Sequence, residues 1–201
     1  METTVQLGTV INMGRKQAFT KSELLDQTKR VLLEHGYEGF QLKLLSRSLV
    51  GARSTIYQYY ANKEEIVAAC MKRVMEDILE KASATDETDC MNALQQLLTV
   101  YLEEANFHQL LGDAHKINKA NSAAAANDLE FVDQAHATLK NQLERLFVRT
   151  QEEGHLNTSI PLPVVIGVFF NLIDTPNMMN IPTPQWSKLL FQMWLGGAGR
   201  R

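Results

Sequence analysis

Cysteine is scarce in this chain: Cys70 and Cys90 are the two thiols among 201 residues, each inside a helical pattern. Two thiols so placed make neither a disulfide framework nor a metal-ligand spacing. They point to buried structural roles and to a reducing compartment, the cytoplasm. Long apolar runs are missing as well. The most apolar stretch, Val164 to Ile173, falls well short of the roughly 20 residues a spanning helix needs. The first twelve residues lack the basic start and apolar centre of a secretory signal, so no membrane partner is expected. No nucleophile with a base beside it, no paired carboxylates and no glycine-rich phosphate loop stands out. Asp174-Thr175 and Glu103-Glu104 read as solvated or capping positions. Neither an enzyme nor a cofactor is expected.

What is present is an ordinary folded composition, 45% apolar and 21% charged, with the charge unevenly spread. The net charge is −3, yet residues 13–63 carry nine Lys/Arg against four Asp/Glu, and residues 64–201 carry eleven against eighteen. A basic module on an acidic body suits a protein that meets nucleic acid at one end.

Helical periodicity runs almost throughout and no strand pair is convincing, so the fold class is all-α. Thr20-Lys21-Ser22-Glu23 reads as a capping box opening a helix that Gly36 ends in a left-handed conformation. A short helix follows from Leu42 to about Leu49, then a tight turn at Val50-Gly51-Ala52 and a second short helix from Arg53 to Tyr60. Leu24, Val31, Leu32, Leu42, Leu45, Leu49, Ile56 and Tyr60 make the core of this head. A long helix from about Lys63 to Lys81 leads to a polar break at Ser83 to Asp89. The body reads as a bundle: helices from about Cys90 to Ala105, Phe107 to Lys116 and Asp128 to Glu152, one opened by Pro161 and Pro163 that runs until Pro176, and a last one after Pro184 that Gly196-Gly197-Ala198-Gly199 ends. The division expected is a basic arm or extension (1–17), a helix-turn-helix head (18–63) and a helical body (64–201).

Two short helices joined by a tight turn and braced by a third form a helix-turn-helix, whose second helix enters the major groove. Residue chemistry assigns the contacts. Arg53 can bind guanine in bidentate fashion, Gln58 can read adenine, and Ser54 can meet a base or a phosphate. Thr55, Tyr57 and Tyr59 offer hydroxyls to phosphates. Lys63 sits where the next helix begins, a place that favours an anion, and Lys43 reaches the backbone or a neighbouring guanine.

The runs Glu34-His35-Gly36-Tyr37-Glu38-Gly39, Thr55-Ile56-Tyr57-Gln58-Tyr59-Tyr60 and Asn62-Lys63-Glu64-Glu65 resemble the DNA-binding domain of TetR-family transcriptional regulators, over roughly residues 18–75. The resemblance implies a homodimeric bacterial regulator, most often a repressor, released from a palindromic operator in double-stranded DNA by a small hydrophobic ligand. It also implies that the body binds that ligand and makes the dimer. Three departures stand beside it. Val50 precedes Gly51 where the family has Gly then Val, so either the turn is shifted by one residue or the two helices are set differently. Ala52 replaces the usual Ser cap, which costs about 1 kcal/mol. Phe40 and Gln41 replace polar residues at the opening of the second helix.

In the body, Tyr101, Asn106, His108, His115, Phe131 and Asn171 are the expected pocket residues, with Asp113 near them. No metal is expected: His108 and His115 lie two turns apart on one helical face, too far for a compact site alone, and His136 and His155 stand isolated. Val164 to Ile173 is either a fully buried helix or one side of an interface. With the last helix, Val165, Val168, Phe169, Leu172, Trp186, Leu190 and Trp194 are expected to pair two subunits in a four-helix interface. The alternative function is an architectural or protein-recruiting dimer on DNA that uses no inducer.

Overall fold

The computed structural model describes residues 19–49 and 53–199, with Arg53 and Ala198 described by backbone alone. The expected arm, the Val50-Gly51-Ala52 turn and Arg200-Arg201 lie outside the described residues. Nine α-helices and two short 3-10 turns make up the regular structure of the described chain: α1 (Lys21–Gly39), α2 (Leu42–Ser48), α3 (Arg53–Tyr59), α4 (Lys63–Ser83), α5 (Cys90–Glu103), α6 (Ala105–Gly112), α7 (Ala123–Glu152), α8 (Leu162–Asn171) and α9 (Thr183–Ala198), with the 3-10 turns at Asp113–Lys116 and Lys119–Asn121. None of these helices is long and apolar enough to cross a membrane.

Local chemistry explains the boundaries of the head. The Thr20 hydroxyl accepts from the Glu23 amide at 3.1 Å while the Glu23 carboxylate accepts from the Thr20 amide at 2.6 Å, a complete capping box. Gly36 has φ +65°, and the helical path breaks there before a last turn carries Tyr37 into the core. Asn62 caps α4 by accepting from the Glu65 amide at 2.9 Å. Leu24, Val31, Leu32, Leu45, Ile56 and Tyr60 are buried as expected, while Leu42 and Leu49 are half-buried against them.

The long α4 packs along α7, and α1 rests on both α4 and α6. Arg73 of α4 holds Asp26 of α1 at 2.6 Å, and Lys29 of α1 holds Glu104, just before α6, at 2.5 Å. At the start of α4, Glu65 accepts from the Ser122 hydroxyl at 2.7 Å; the same hydroxyl caps α7 by accepting from the Ala125 amide.

Three expectations about the body are corrected. The helix expected from Asp128 begins at Ala123, because Ser122 supplies the cap and alanine the propensity. The segment read as one helix from Phe107 to Lys116 is α6 followed by a 3-10 turn. The last helix continues through Gly196 and Gly197 to Ala198, and Gly199 then meets Leu156 in an isolated bridge.

Candidate DNA interface and apolar cavity

On α3 the helical repeat sorts the expected contacts by face. Ile56 and Tyr60 point into the core, and burial pushes the Tyr60 phenol up to about 12. Ser54, Tyr57 and Gln58, at i, i+3 and i+4, form the outward face, with Tyr57 45% exposed; Thr55 is half-buried beside them. Lys43 is exposed in the first turn of α2. The side chain of Arg53 lies outside the described residues, although its backbone opens α3.

Two of the expected phosphate ligands commit their polar ends to the protein. The Tyr59 hydroxyl donates to the Phe19 carbonyl at 3.1 Å, and its ring leans on Phe19. The Lys63 ammonium donates to the Tyr37 carbonyl at 2.7 Å and lies 4.1 Å from the centre of the Tyr37 ring. At the start of α4, Asn62 accepts from Glu65 N–H, and the Glu65 carboxylate accepts from Ala61 N–H ahead of the cap. With Glu64 and Glu65 in that first turn, the helix end already has its negative charge. Tyr59 therefore braces α3 against the segment that leads into α1, and Lys63 braces α4 against α1, which sequence spacing did not reveal.

The body holds an apolar cavity of about 250 Å³ between α4, α5, α6, α7 and α8. Met75, Ile78, Leu139, Leu143, Phe170 and Ile173 supply its apolar wall; Tyr101, Glu104, His108, His136 and Lys140 supply the polar groups. Of the expected pocket residues, Tyr101 and His108 are here. The Tyr101 hydroxyl is buried without a protein partner, and burial holds its pKa well above the usual phenol range. His108 Nδ1 sits 3.1 Å from Asp174 Oδ1, joining α6 to the loop after α8. The imidazole of His136 has its pKa lowered, chiefly by desolvation and then by His108.

The other four expected pocket residues lie elsewhere. Asn106 faces a polar cleft with Asp174 and Trp186. His115 is exposed, with Nδ1 2.7 Å from the Gly112 carbonyl, because the chain leaves α6 in a 3-10 turn. Phe131 packs under the Lys72 ammonium at 5.5 Å, and Asn171 is exposed at the end of α8. Met75, Ile78, Leu139 and Leu143 carried a signal in the sequence, the i, i+3/i+4 apolar stripe, but a core residue and a cavity wall share that signal.

The expected interface residues divide by helical phase. Val165, Phe169, Leu190 and Trp194 are buried within the protomer. Phe147 of α7 meets Phe169 and Trp194 edge-on at 5.1 and 5.9 Å, and Trp194 Nε1 donates to the Val165 carbonyl at 3.3 Å. Phe169 and Trp194 fasten α8 and α9 to α7, α9 packs chiefly along α5, and all four side chains are buried away from any second subunit. Leu172 and Trp186 are half-buried, and Val168 is 49% exposed. Beside Val168 lie the exposed Val164 of α8 and Leu189 and Met193 of α9, residues the reading of the sequence did not single out as the interface.

Residues 24–70 match the sequence profile of bacterial regulatory proteins of the tetR family. The HTH-type transcriptional repressor AcnR of Corynebacterium efficiens is 24% identical over 153 residues, spanning 76% of this chain and 77% of AcnR. Among solved structures, the ketosteroid transcriptional regulator KstR2 of Mycobacterium tuberculosis aligns with a TM-score of 0.75 at 13% identity, over 93% of this chain and 100% of that one. AibR, solved with isovaleryl coenzyme A and operator DNA, aligns with a TM-score of 0.67 at 15% identity, over 86% of this chain and 96% of its own. The helix-turn-helix head thus matches the tetR family of bacterial regulatory proteins, and the all-helical fold behind it is the fold of KstR2.

Proposed function

We propose that this protein is a homodimeric transcriptional repressor whose head, residues 18–63, binds a palindromic operator and whose body, residues 64–201, binds a small hydrophobic ligand that releases it. The observation that carries the reading is the outward face of α3, where Ser54, Tyr57 and Gln58 stand exposed on a helix fixed from behind by Ile56 and Tyr60. Similarity to the repressor AcnR supports the sign of regulation. In a dimer, two such helices enter successive major grooves about 34–36 Å apart.

The apolar cavity supports a ligand-responsive protein over the architectural or protein-recruiting alternative. Its wall suits an apolar body, and the buried Tyr101 hydroxyl is a donor for one polar end of the ligand. Two links run from the cavity toward the head. Met75 and Ile78 belong to α4, and Glu104, a cavity residue, holds Lys29 of α1. A ligand lowers operator affinity by no more than its preference for one of the two body conformations.

Selection of genomic fragments with the purified protein, followed by a salt titration of the best fragment, tests the DNA arm. One enriched palindrome with a steep salt slope is expected. Arg53→Ala and Gln58→Ala should each lose about 1–3 kcal/mol of discrimination at one base pair. Enrichment of no fragment, or of all equally, refutes sequence-specific repression and leaves the recruiting dimer as the better reading.

A further inference from the structure

At the end of the bundle away from the cavity, three side chains of metal-ligating type converge from two helices. Cys90 is the first residue of α5, and it is buried. Glu153 follows the last residue of α7. Gly154, at φ +78°, then reverses the chain, and the His155 amide reaches back to the Thr150 carbonyl at 3.1 Å. That helix-ending turn lays the imidazole beside the carboxylate. Cys90 Sγ donates to Glu153 Oε2 at 2.9 Å, and His155 Nε2 lies 3.7 Å from the same oxygen. The sulfur, oxygen and nitrogen all fall within 4.8 Å of one another, the single such grouping among the described residues.

The surroundings orient the carboxylate toward the other two groups. Oε1, the other oxygen of Glu153, lies 3.6 Å from Arg149 Nη2, and Arg149 is itself anchored by donating to the Glu87 carbonyl at 3.0 Å. The guanidinium thus holds the carboxylate from its far side and leaves Oε2 turned to the thiol and imidazole, the arrangement that outer-shell groups give to metal ligands. In a tetrahedral zinc site, sulfur and oxygen ligands stand roughly 3.5 Å apart. The present spacings need only a small opening on one side and a small closure on the other. Glu153 and His155 are exposed, so the fourth position faces water.

We propose that Cys90, Glu153 and His155 form a three-ligand site for a borderline-soft divalent cation of the zinc class, completed by one water. Thiolate and imidazole favour such an ion and disfavour magnesium or calcium, which take oxygen ligands. Capture replaces the Cys90 S–H bond with a metal–thiolate bond, and the proton goes to solvent. The bound ion ties the start of α5 to the end of α7, two points that are 63 residues apart in the chain. That separation hides the site from any reading of cysteine spacing.

Cobalt(II) titration of the full-length, metal-stripped protein, followed by zinc competition, tests the site. One cobalt per chain is expected, with a thiolate-to-cobalt charge-transfer band that zinc abolishes and with a raised Tm on zinc addition. Cys90→Ser should remove the band. The other thiol, Cys70, is buried in α4 and directed at the Leu25 carbonyl of α1, so it supplies no alternative source. His155→Ala, a change at an exposed side chain, should weaken zinc binding by more than the roughly 10–100-fold that loss of an outer-shell group costs. A charge-transfer band missing from the wild type overturns the proposal. So does zinc affinity that is unchanged in His155→Ala.

Discussion

Tyr101 lines the cavity with a hydroxyl that no protein group accepts, and burial keeps that hydroxyl neutral and donating at physiological pH. An unsatisfied buried polar group costs about 1–3 kcal/mol. Tyr101→Phe is therefore expected to raise stability by up to that amount in urea denaturation, and to weaken any ligand that accepts a hydrogen bond there. A fall in stability would show that the hydroxyl already has a partner in the folded protein. Tyr59 and Lys63 teach the opposite lesson at the same scale. Residue type alone marked both as phosphate ligands, whereas the Phe19 and Tyr37 carbonyls take their polar ends. A hydroxyl or ammonium has the same chemistry in either role, and only the position of a residue 26 or 40 places away decides between them.

Between elements, the contact that most directly joins head to cavity is Lys29 with Glu104. The two side chains are 27% and 16% exposed, so the pair is shielded more than a surface ion pair, and Phe107 lies under the lysine with 5.8 Å from ammonium to ring centre. A double-mutant cycle of Lys29→Ala and Glu104→Ala, read by urea denaturation, should give a coupling of about 1–2 kcal/mol, above the range of exposed pairs. A coupling near zero would remove α6 from the path between the sites. Elements were legible in the sequence wherever their cause is local. The capping box spans Thr20 to Glu23, and Gly36 marks its own break. The beginning of α7 was misread because an alanine run looks the same as packing surface or as helix until Ser122 is seen to cap it. The phase of α8 and α9 was not legible, since a helix apolar on most sides does not say which side meets the rest of the bundle. Nor was the cavity, whose walls come from five helices that only tertiary packing brings together.

For the whole molecule, the surface left open by α8 and α9 is where the proposed dimer is expected to form. Val164, Val168, Leu189 and Met193 are exposed at i, i+4 intervals on neighbouring helices, Met193 to 76%. Val168→Glu and Met193→Glu are expected to give a folded monomer in analytical ultracentrifugation. Phe169→Ala, which empties a fully buried position, should instead cost about 3–5 kcal/mol of fold stability. A dimer that persists in both glutamate variants would place the interface elsewhere. The joint between α4 and α7 bears on how far a signal travels. Both helices are pinned near their beginnings, by Glu65 with the Ser122 hydroxyl and by Lys72 with Asp128 at 3.2 Å. The cavity opens beyond those pins, at Met75 and Ile78. At 1.5 Å per residue, Ile78 lies roughly 20 Å along the axis from Glu65. Past the cavity the same helices are joined again, where Gln142 Nε2 donates to the Ala82 carbonyl at 3.1 Å. A wedge between them presses on a beam clamped at both ends, which bows without swinging, so displacement of the head is expected through α6 and the hold of Glu104 on Lys29 of α1.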